Sequence, residues 1–238
     1  MTAKMNSAFG AVWLAALFLI ALPPTLLAHE CAGRSDEPLV SLLQPPPCEA
    51  CEETKAELAE LEALEQSRTP EQAAHAASDT ERSLPRFLEG TGIGFDADAL
   101  QACKRFFKKR HKEEKAAVDA AKDTFCRVRP FLTRGNTLHP VQEAKPDASF
   151  SYPSGHATYG ATVGFLLAEM MPEKKVALYA RINDYAHDRM VAGVHFRSDV
   201  EAGKLYGAAI VDALFAKPGF EAEFEEAKAC VRKAAGLQ

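Results

Sequence analysis

The stretch PSGHATYGATVGFLLAEMM, residues 153–171, joins a Pro-Ser-Gly turn to a long apolar run. Such a turn before apolar residues indicates a helix that begins near Gly155. Further helices are predicted at 173–190, 198–215 and 220–235, and no segment shows the alternation and hairpin turns typical of strands. The sequence therefore predicts an all-α fold in one domain.

The N-terminal half carries the same helical signals. Leucines spaced among charged residues predict an amphipathic helix at 52–66, and Thr69 before Pro70 predicts the N-cap of a second helix. The glycines in 89–95 predict a loop, because a GxGxG pattern without a preceding strand is poor evidence for a nucleotide site. A long helix is predicted at 98–127. Its basic run, 104–115, is expected on the exposed side, as a solvated face rather than an anion-steering patch.

Composition excludes several classes of protein. The 238 residues are 47% hydrophobic and 26% charged, which is unlike a disordered or collagen-like chain. The net charge of −5 disfavours a general nucleic-acid binder, so no nucleic-acid partner is expected.

The first 28 residues have the pattern of a secretory signal peptide. Lys4 precedes an apolar run at 11–22, and cleavage is expected after Ala28. The run is shorter than the roughly 20 residues that span a bilayer, so the mature chain is predicted to have no membrane anchor and to be periplasmic or secreted. Residues 29–51 are predicted to be an extended arm rich in Pro and Cys, and residues 52–238 the helical domain.

The cysteine count fits an exported protein. An even number of cysteines indicates structural disulfides, although the sequence leaves all pairings open. Cys48 and Cys51 also form a CxxC pair of the redox or metal-binding kind. That interpretation is weaker, because no second CxxC or nearby histidine completes a zinc site and no thioredoxin-like strand precedes the pair. The cysteines are at positions 31, 48, 51, 103, 126 and 230.

Three separate clusters of residues are candidates for anion binding and catalysis. In the first, Lys122 and Arg129 are seven residues apart and would share a face of a continuous helix. Two cations on one face indicate either a shared anion or a basic helix end that complements the dipole.

The second cluster is the turn at the start of the apolar helix. Its free backbone N–H groups and positive dipole end suit a phosphate, and so does the Ser154 hydroxyl. Gly155 permits close backbone approach, and His156 adds a titratable ring. An ordinary helix start with an incidental histidine is the alternative.

The third cluster joins Arg189, His195 and Asp199. If the stretch is helical, a carboxylate four residues after a histidine can reach back to one ring nitrogen and make the other more basic. A surface ion pair is the alternative, but the small residues and Phe196 nearby favour a packed site.

The three clusters, in this order, resemble the type 2 phosphatidic acid phosphatase (PAP2) superfamily, and within it the bacterial class A non-specific acid phosphatases. The resemblance rests on Lys-x6-Arg-Pro at 122–130, Pro-Ser-Gly-His at 153–156 and Arg-x5-His-x3-Asp at 189–199, and it extends from about Pro38 to Ala235. It implies a helical bundle of the acid phosphatase type that hydrolyses small phosphomonoesters.

The resemblance also implies a role for each residue. His195 would be the nucleophile that forms a phosphohistidine, Asp199 would orient it, and His156 would protonate the leaving alcohol and later activate water. The phosphate oxygens would be bound by a further set: Lys122, Arg129, Ser154, Gly155 and Arg189. No cofactor or metal is required, because fixed cations and N–H donors can stabilise the transition state.

Asp188 departs from the family pattern, which usually has serine before the arginine, and this acid would either pair with Arg189 or repel the substrate. The remaining histidines are predicted to be structural or exposed. The resemblance allows a homodimer. Three alternatives stay open: a lipid-phosphate phosphatase of the same superfamily, a vanadium haloperoxidase, and an exported helical protein that binds phosphate without turnover.

Overall fold

The helix predicted from the 153–171 stretch lies at the centre of the molecule. The computed structural model describes residues 37–133, 135, 137–141 and 149–237, which contain helices and connections but no strand. Within the central helix only His156, Phe165 and Glu169 are not buried, as expected for a helix that is apolar on all sides. The helices are α1 (Glu52–Ser67), α2 (Pro70–Ser78), α3 (Leu84–Glu89), α4 (Ala97–Phe125), α5 (Gly155–Met170), α6 (Lys175–Val191), α7 (Arg197–Phe215) and α8 (Phe220–Ala234).

The all-α prediction is confirmed, and most helices begin and end within two residues of their predicted positions. The Thr69 N-cap of α2 forms a capping box with Gln72. Helix α3 is the element the sequence analysis missed: Ser83 caps it and accepts a hydrogen bond from the backbone N–H of Arg86. No helix among the described residues is long and apolar enough to cross a bilayer. The predicted signal peptide lies outside the described residues.

Helix α5 packs against α4, α6 and α7, and its closest approach is to α7. Gly203 and Gly207 on α7 make this approach possible, because a Cβ atom at Gly203 would lie 2.6 Å from the carbonyl oxygen of Ser154. The backbone N–H of Ser154 also donates to the carbonyl of Asp199 at 2.9 Å. The N-terminal ends of α5 and α7 therefore lie side by side.

Two details of the predicted N-terminal half are corrected. The arm at 29–51 is not extended throughout, since Pro38–Leu42 form a 3-10 helix whose Val40 is buried in the core. The basic run of α4 is not wholly exposed either. Arg110 is 3% exposed, contacts Glu223, and lies over the ring of Phe106. Arg110 therefore packs between α4 and α8, although the lysines one turn away on α4 are exposed.

A disulfide joins Cys103 on α4 to Cys230 on α8. Cys126 is also disulfide-bonded, whereas Cys48 and Cys51 are free thiols. The expectation that all six cysteines form structural disulfides is therefore wrong for the CxxC pair. Cys51 precedes the first residue of α1, and the helix N-terminus accommodates its sulfur without a covalent partner.

The Cys103–Cys230 bond closes a loop of 127 residues, so its loss should strongly destabilise the fold. We expect the double variant Cys103→Ser/Cys230→Ser to lower the free energy of unfolding by about 2–4 kcal/mol, measured by urea denaturation. Cys48→Ser is the matched control and should leave the urea midpoint unchanged. Equal midpoints for the double variant and the native chain would contradict this prediction.

Candidate active site

The site is built where α5 and α7 begin. His195 lies two residues before the first residue of α7 and is 1% exposed, and its Nδ1 lies 3.3 Å from Oδ2 of Asp199. The contact forms although His195 is not helical. Asp199 is the third residue of α7, and its Oδ2 also accepts the backbone N–H of Phe196 at 2.9 Å. The helix N-terminus therefore holds the carboxylate, and the carboxylate holds the ring.

The partners of His195 define its tautomer. A carboxylate accepts and a guanidinium only donates, so the proton belongs on Nδ1 and the lone pair on Nε2. Nη1 of Arg129 lies 2.8 Å from that Nε2. Burial, together with the nearby charges of Arg129 and Lys122, lowers the pKa of His195 well below its ordinary value. The ring is therefore neutral, with its nucleophilic nitrogen directed at a cation.

Lys122 and Arg129 converge, but not in the predicted way. Helix α4 ends at Phe125, and Cys126 takes a left-handed conformation with φ of 48°, so the two cations do not share a helix face. They meet instead at Ser149. Nζ of Lys122 donates to its Oγ at 3.1 Å, and Nε of Arg129 donates to its carbonyl at 2.8 Å. Lys122 and Arg129 are close because the chain folds back after α4, not because of their spacing along a helix.

Desolvation has a measurable consequence at Lys122. Burial and the Arg129 charge lower the pKa of Lys122 to about 7. Below pH 7 the amine is charged and attracts an anion, and above pH 7 it loses that charge. We expect the affinity for sulfate, whose own charge is constant in this range, to fall up to about tenfold per pH unit above 7. Calorimetric titration between pH 5.5 and 8.5 measures it.

Lys122→Arg is the matched control, because arginine keeps its charge throughout this range. The variant should bind sulfate with little pH dependence near 7. A transition that persists in Lys122→Arg would contradict the assignment to this lysine.

The second cluster forms the start of α5. Oγ of Ser154 accepts the backbone N–H of Ala157 at 3.4 Å. Within the described residues, no acceptor is found for the backbone N–H groups of Gly155 and His156, which are left for an anion. Nε2 of His156 lies 3.0 Å from the carbonyl oxygen of Thr80. A carbonyl only accepts, so Nε2 carries a proton and Nδ1 is the nitrogen that titrates.

The third-cluster arginine reaches the site from α6. Arg189 is 2% exposed, and its Nη1 and Nη2 donate to the carbonyls of Asp79 and Ala76, each at 3.1 Å. Its Nε is buried and finds no partner among the described residues. The charge of Arg189 is close enough to lower the pKa of both His156 and His195. The predicted site residues from all three clusters are therefore brought together.

Part of the chain matches a known protein family. A family model described as the PAP2 superfamily matches residues 114–220, which contain every predicted site residue. Residues 114–220 are therefore similar to the PAP2 superfamily.

Three phosphatases are among the proteins that this chain resembles in sequence. The non-specific acid phosphatase of Salmonella typhimurium is 36% identical over 106 residues, which are 44% of this chain and 42% of the relative. That of Providencia stuartii is 31% identical over 113 residues, 47% and 46% of the two chains. The acid phosphatase of Zymomonas mobilis is 29% identical over 167 residues, which are 67% of this chain and 62% of the relative. The chain thus spans less than half the length of the first two relatives.

Among solved structures, a transmembrane PAP2 type phosphatidylglycerolphosphate phosphatase from Bacillus subtilis has a similar fold. The TM-score is 0.51 at 19% identity, and the match covers 78% of this chain and 91% of the other. At this identity the likeness concerns the fold, and it agrees with the helical bundle that the resemblance implied.

The structure adds two arginines that sequence reasoning missed. Nη1 of Arg127 donates to Oδ1 of Asp199 at 2.7 Å, and its guanidinium stacks over the Phe196 ring at 3.9 Å. Its Nη2 donates to Glu57 on α1 at 2.7 Å. Arg127 thus fixes the carboxylate that holds His195. It lay inside a quoted motif, but its spacing gave no sign of this partner.

Arg82 is a fourth cation beside Lys122, Arg129 and Arg189. Its Nη1 lies 3.6 Å from the position of a Cβ atom on Gly155. Its charge lowers the pKa of His156. Within the described part of the chain its guanidinium makes no hydrogen bond or salt bridge. Arg82 lies before α3, outside all three motifs, so no local signal marks it.

Asp188, the departure from the family pattern, faces away from Arg189. Its Oδ2 lies 3.3 Å from Nε2 of His75. Burial and the nearby Asp79 raise the pKa of Asp188 to about 8. Of the two alternatives for Asp188, pairing with Arg189 is not found among the described residues; the acid lies instead in a cluster with His75, Asp79 and Asp184, and the ligand atoms of the four residues all lie within 4.8 Å of one another.

The hydrogen bonds around this cluster do not suit a metal ion. Nη2 of Arg86 lies 3.3 Å from Nδ1 of His75, and since arginine only donates, the proton of a neutral ring belongs on Nε2. That is the atom a metal would need free. Arg86 and Arg181 also donate to Asp79 at 2.6 and 2.7 Å. The residues fit a network of arginines and carboxylates better than a metal. The network steadies the segment whose carbonyls hold Arg189.

Proposed function

We propose that this chain is an exported, metal-independent acid phosphatase that hydrolyses phosphomonoesters through a phosphohistidine at His195. One observation carries the proposal: a neutral, buried histidine presents the lone pair of Nε2 to Arg129 while Asp199 holds its Nδ1. Simple anion binding needs no nucleophile in such a place. The similarity to proteins named acid phosphatases supports the same reaction.

In the first step, Nε2 of His195 attacks phosphorus and the bond to the leaving oxygen breaks. Asp199 and Arg127 keep the ring oriented while positive charge develops on it. Nδ1–H of His156 gives its proton to the leaving oxygen, so the alcohol departs neutral. Arg129 moves its hydrogen bond from Nε2 to a phosphate oxygen.

In the second step, His156 removes a proton from water, the water oxygen attacks phosphorus, and the nitrogen–phosphorus bond breaks. Inorganic phosphate leaves and both histidines return to their starting states. Throughout, the charge on the phosphate oxygens is offset by Lys122, Arg129 and Arg189 and by the N–H groups that follow Ser154, Gly155 included.

Hydrolysis of p-nitrophenyl phosphate in excess EDTA tests this function. We expect turnover at mildly acidic pH that EDTA does not change. Absence of turnover would contradict the phosphatase assignment, and loss of activity on chelation that a divalent metal restores would contradict the metal-independent mechanism.

A further inference from the structure

A cavity of about 660 Å³ adjoins the proposed active site, between α3, α4 and the start of α5. We call it the α3–α4 pocket. Its wall is mainly apolar, and six side chains provide most of that character: Leu84, Leu88, Ile93, Phe95, Leu100 and Phe107.

The α3–α4 pocket and the site share one segment of chain, residues 80–82. Glu81 and Arg82 line it. The preceding carbonyl, that of Thr80, holds Nε2 of His156, and the Glu81 carbonyl accepts the Tyr185 hydroxyl at 2.8 Å. Arg82 also lies beside Gly155. One short segment thus forms both an edge of the site and an edge of the pocket.

The geometry of an in-line displacement at phosphorus places the leaving group on the side of this pocket. In-line displacement puts the attacking and leaving atoms on opposite sides of phosphorus. If His195 attacks, the leaving oxygen lies on the side of the proton donor, His156. The rest of the alcohol then extends toward Thr80 and Arg82, the segment that borders both the site and the pocket.

The pocket wall selects the chemistry of that alcohol. Apolar walls gain free energy by removing apolar surface from water and give polyhydroxyl groups few partners. The polar side chains at the wall include His111, whose Nδ1 lies 2.8 Å from Oε2 of the fully buried Glu114 and whose ring meets that of Tyr159 edge-on. Cations outnumber carboxylates at the wall and oppose a cationic alcohol: Arg82, Lys104 and Lys108 against Glu81 and Glu89.

We propose that the α3–α4 pocket binds the leaving alcohol and that the preferred substrates are phosphomonoesters of bulky apolar alcohols, aryl or alkyl. This inference rests on the proposed phosphatase function. The pocket adds no chemical step, since the alcohol still leaves with the proton from His156.

The test compares kcat/KM for three phosphomonoesters: glycerol phosphate, hexyl phosphate and naphthyl phosphate. We expect the native chain to favour at least one of the two apolar esters over glycerol phosphate by at least about tenfold. Ile93→Glu puts a carboxylate in the wall at a partly exposed loop position, and a urea midpoint equal to that of the native chain shows that the variant keeps its fold. It should remove most of that preference while changing glycerol phosphate turnover less than about twofold.

Val176→Glu is the matched control, because Val176 is 86% exposed on α6 and outside the pocket. It should leave all three values unchanged. Equal kcat/KM values for the three esters in the native chain, or an equal loss for all three in Ile93→Glu, would overturn the pocket assignment while leaving the phosphatase standing. No turnover of any ester, p-nitrophenyl phosphate included, would overturn both.

Discussion

Replacing His195 by alanine is expected to lower kcat for phosphomonoester hydrolysis by at least about 10³-fold, the largest effect of any single substitution in this chain. The variant lacks the atom that would bond to phosphorus, and nothing else at that position can attack. Measuring kcat with p-nitrophenyl phosphate at mildly acidic pH provides the value.

The control for this variant is His139→Ala. His139 is exposed and its Nδ1 contacts Glu65 at 3.1 Å, away from the site. It should retain native kcat. Sulfate binding by His195→Ala then separates loss of the nucleophile from loss of the fold, because the cation cage does not require this ring. A His195→Ala protein that binds sulfate and keeps kcat within tenfold of the native value would contradict the nucleophile assignment.

The second large effect is expected at His156. Removing the proton donor should lower kcat by about 10²–10⁴-fold for esters of alkyl alcohols, whose leaving group needs protonation. The loss should be much smaller for p-nitrophenyl phosphate, since its leaving group is stable as an anion. The ratio of the two losses in His156→Ala is the measurement.

The pH dependence of kcat is a second measurement for the His156→Ala variant. Burial, then the charges of Arg189 and Arg82, hold the pKa of His156 well below its ordinary value in the free protein. A bound phosphate ester offsets those cations and raises it. Native kcat for alkyl esters should therefore fall as pH rises through the pKa of His156 in the complex, because the acid loses its proton. Equal losses for both kinds of ester, with the alkaline fall of kcat still present in His156→Ala, would contradict the role.

Seven of the eight helices were predictable from sequence because local signals mark them; the six-residue α3 was missed although Ser83 caps it. Apolar runs, the Thr69 cap and the turn before Gly155 all act within a few residues of the element they define. The His195–Asp199 contact was predictable for a related reason, since four residues separate the two side chains. The contact forms at the start of a helix, however, and not within a helix as predicted.

The remainder of the site depends on contacts between distant segments. Arg127 meets Asp199 across 72 positions, and Lys122 meets Phe150 across 28. The left-handed Cys126 ends α4 early, and the sequence offered no glycine to mark it. Arg82 was missed for the same reason, because its place beside Gly155 depends on the tertiary fold and not on spacing in the sequence.

The central claim is that His195 carries the phosphoryl group. The most direct measurement is to quench the enzyme during turnover of a ³²P-labelled phosphomonoester and map the labelled peptide. We predict an acid-labile, alkali-stable label on the peptide that contains His195, absent from His195→Ala and present in His139→Ala. A label that persists in His195→Ala, that maps to His156, or that survives acid would contradict the account.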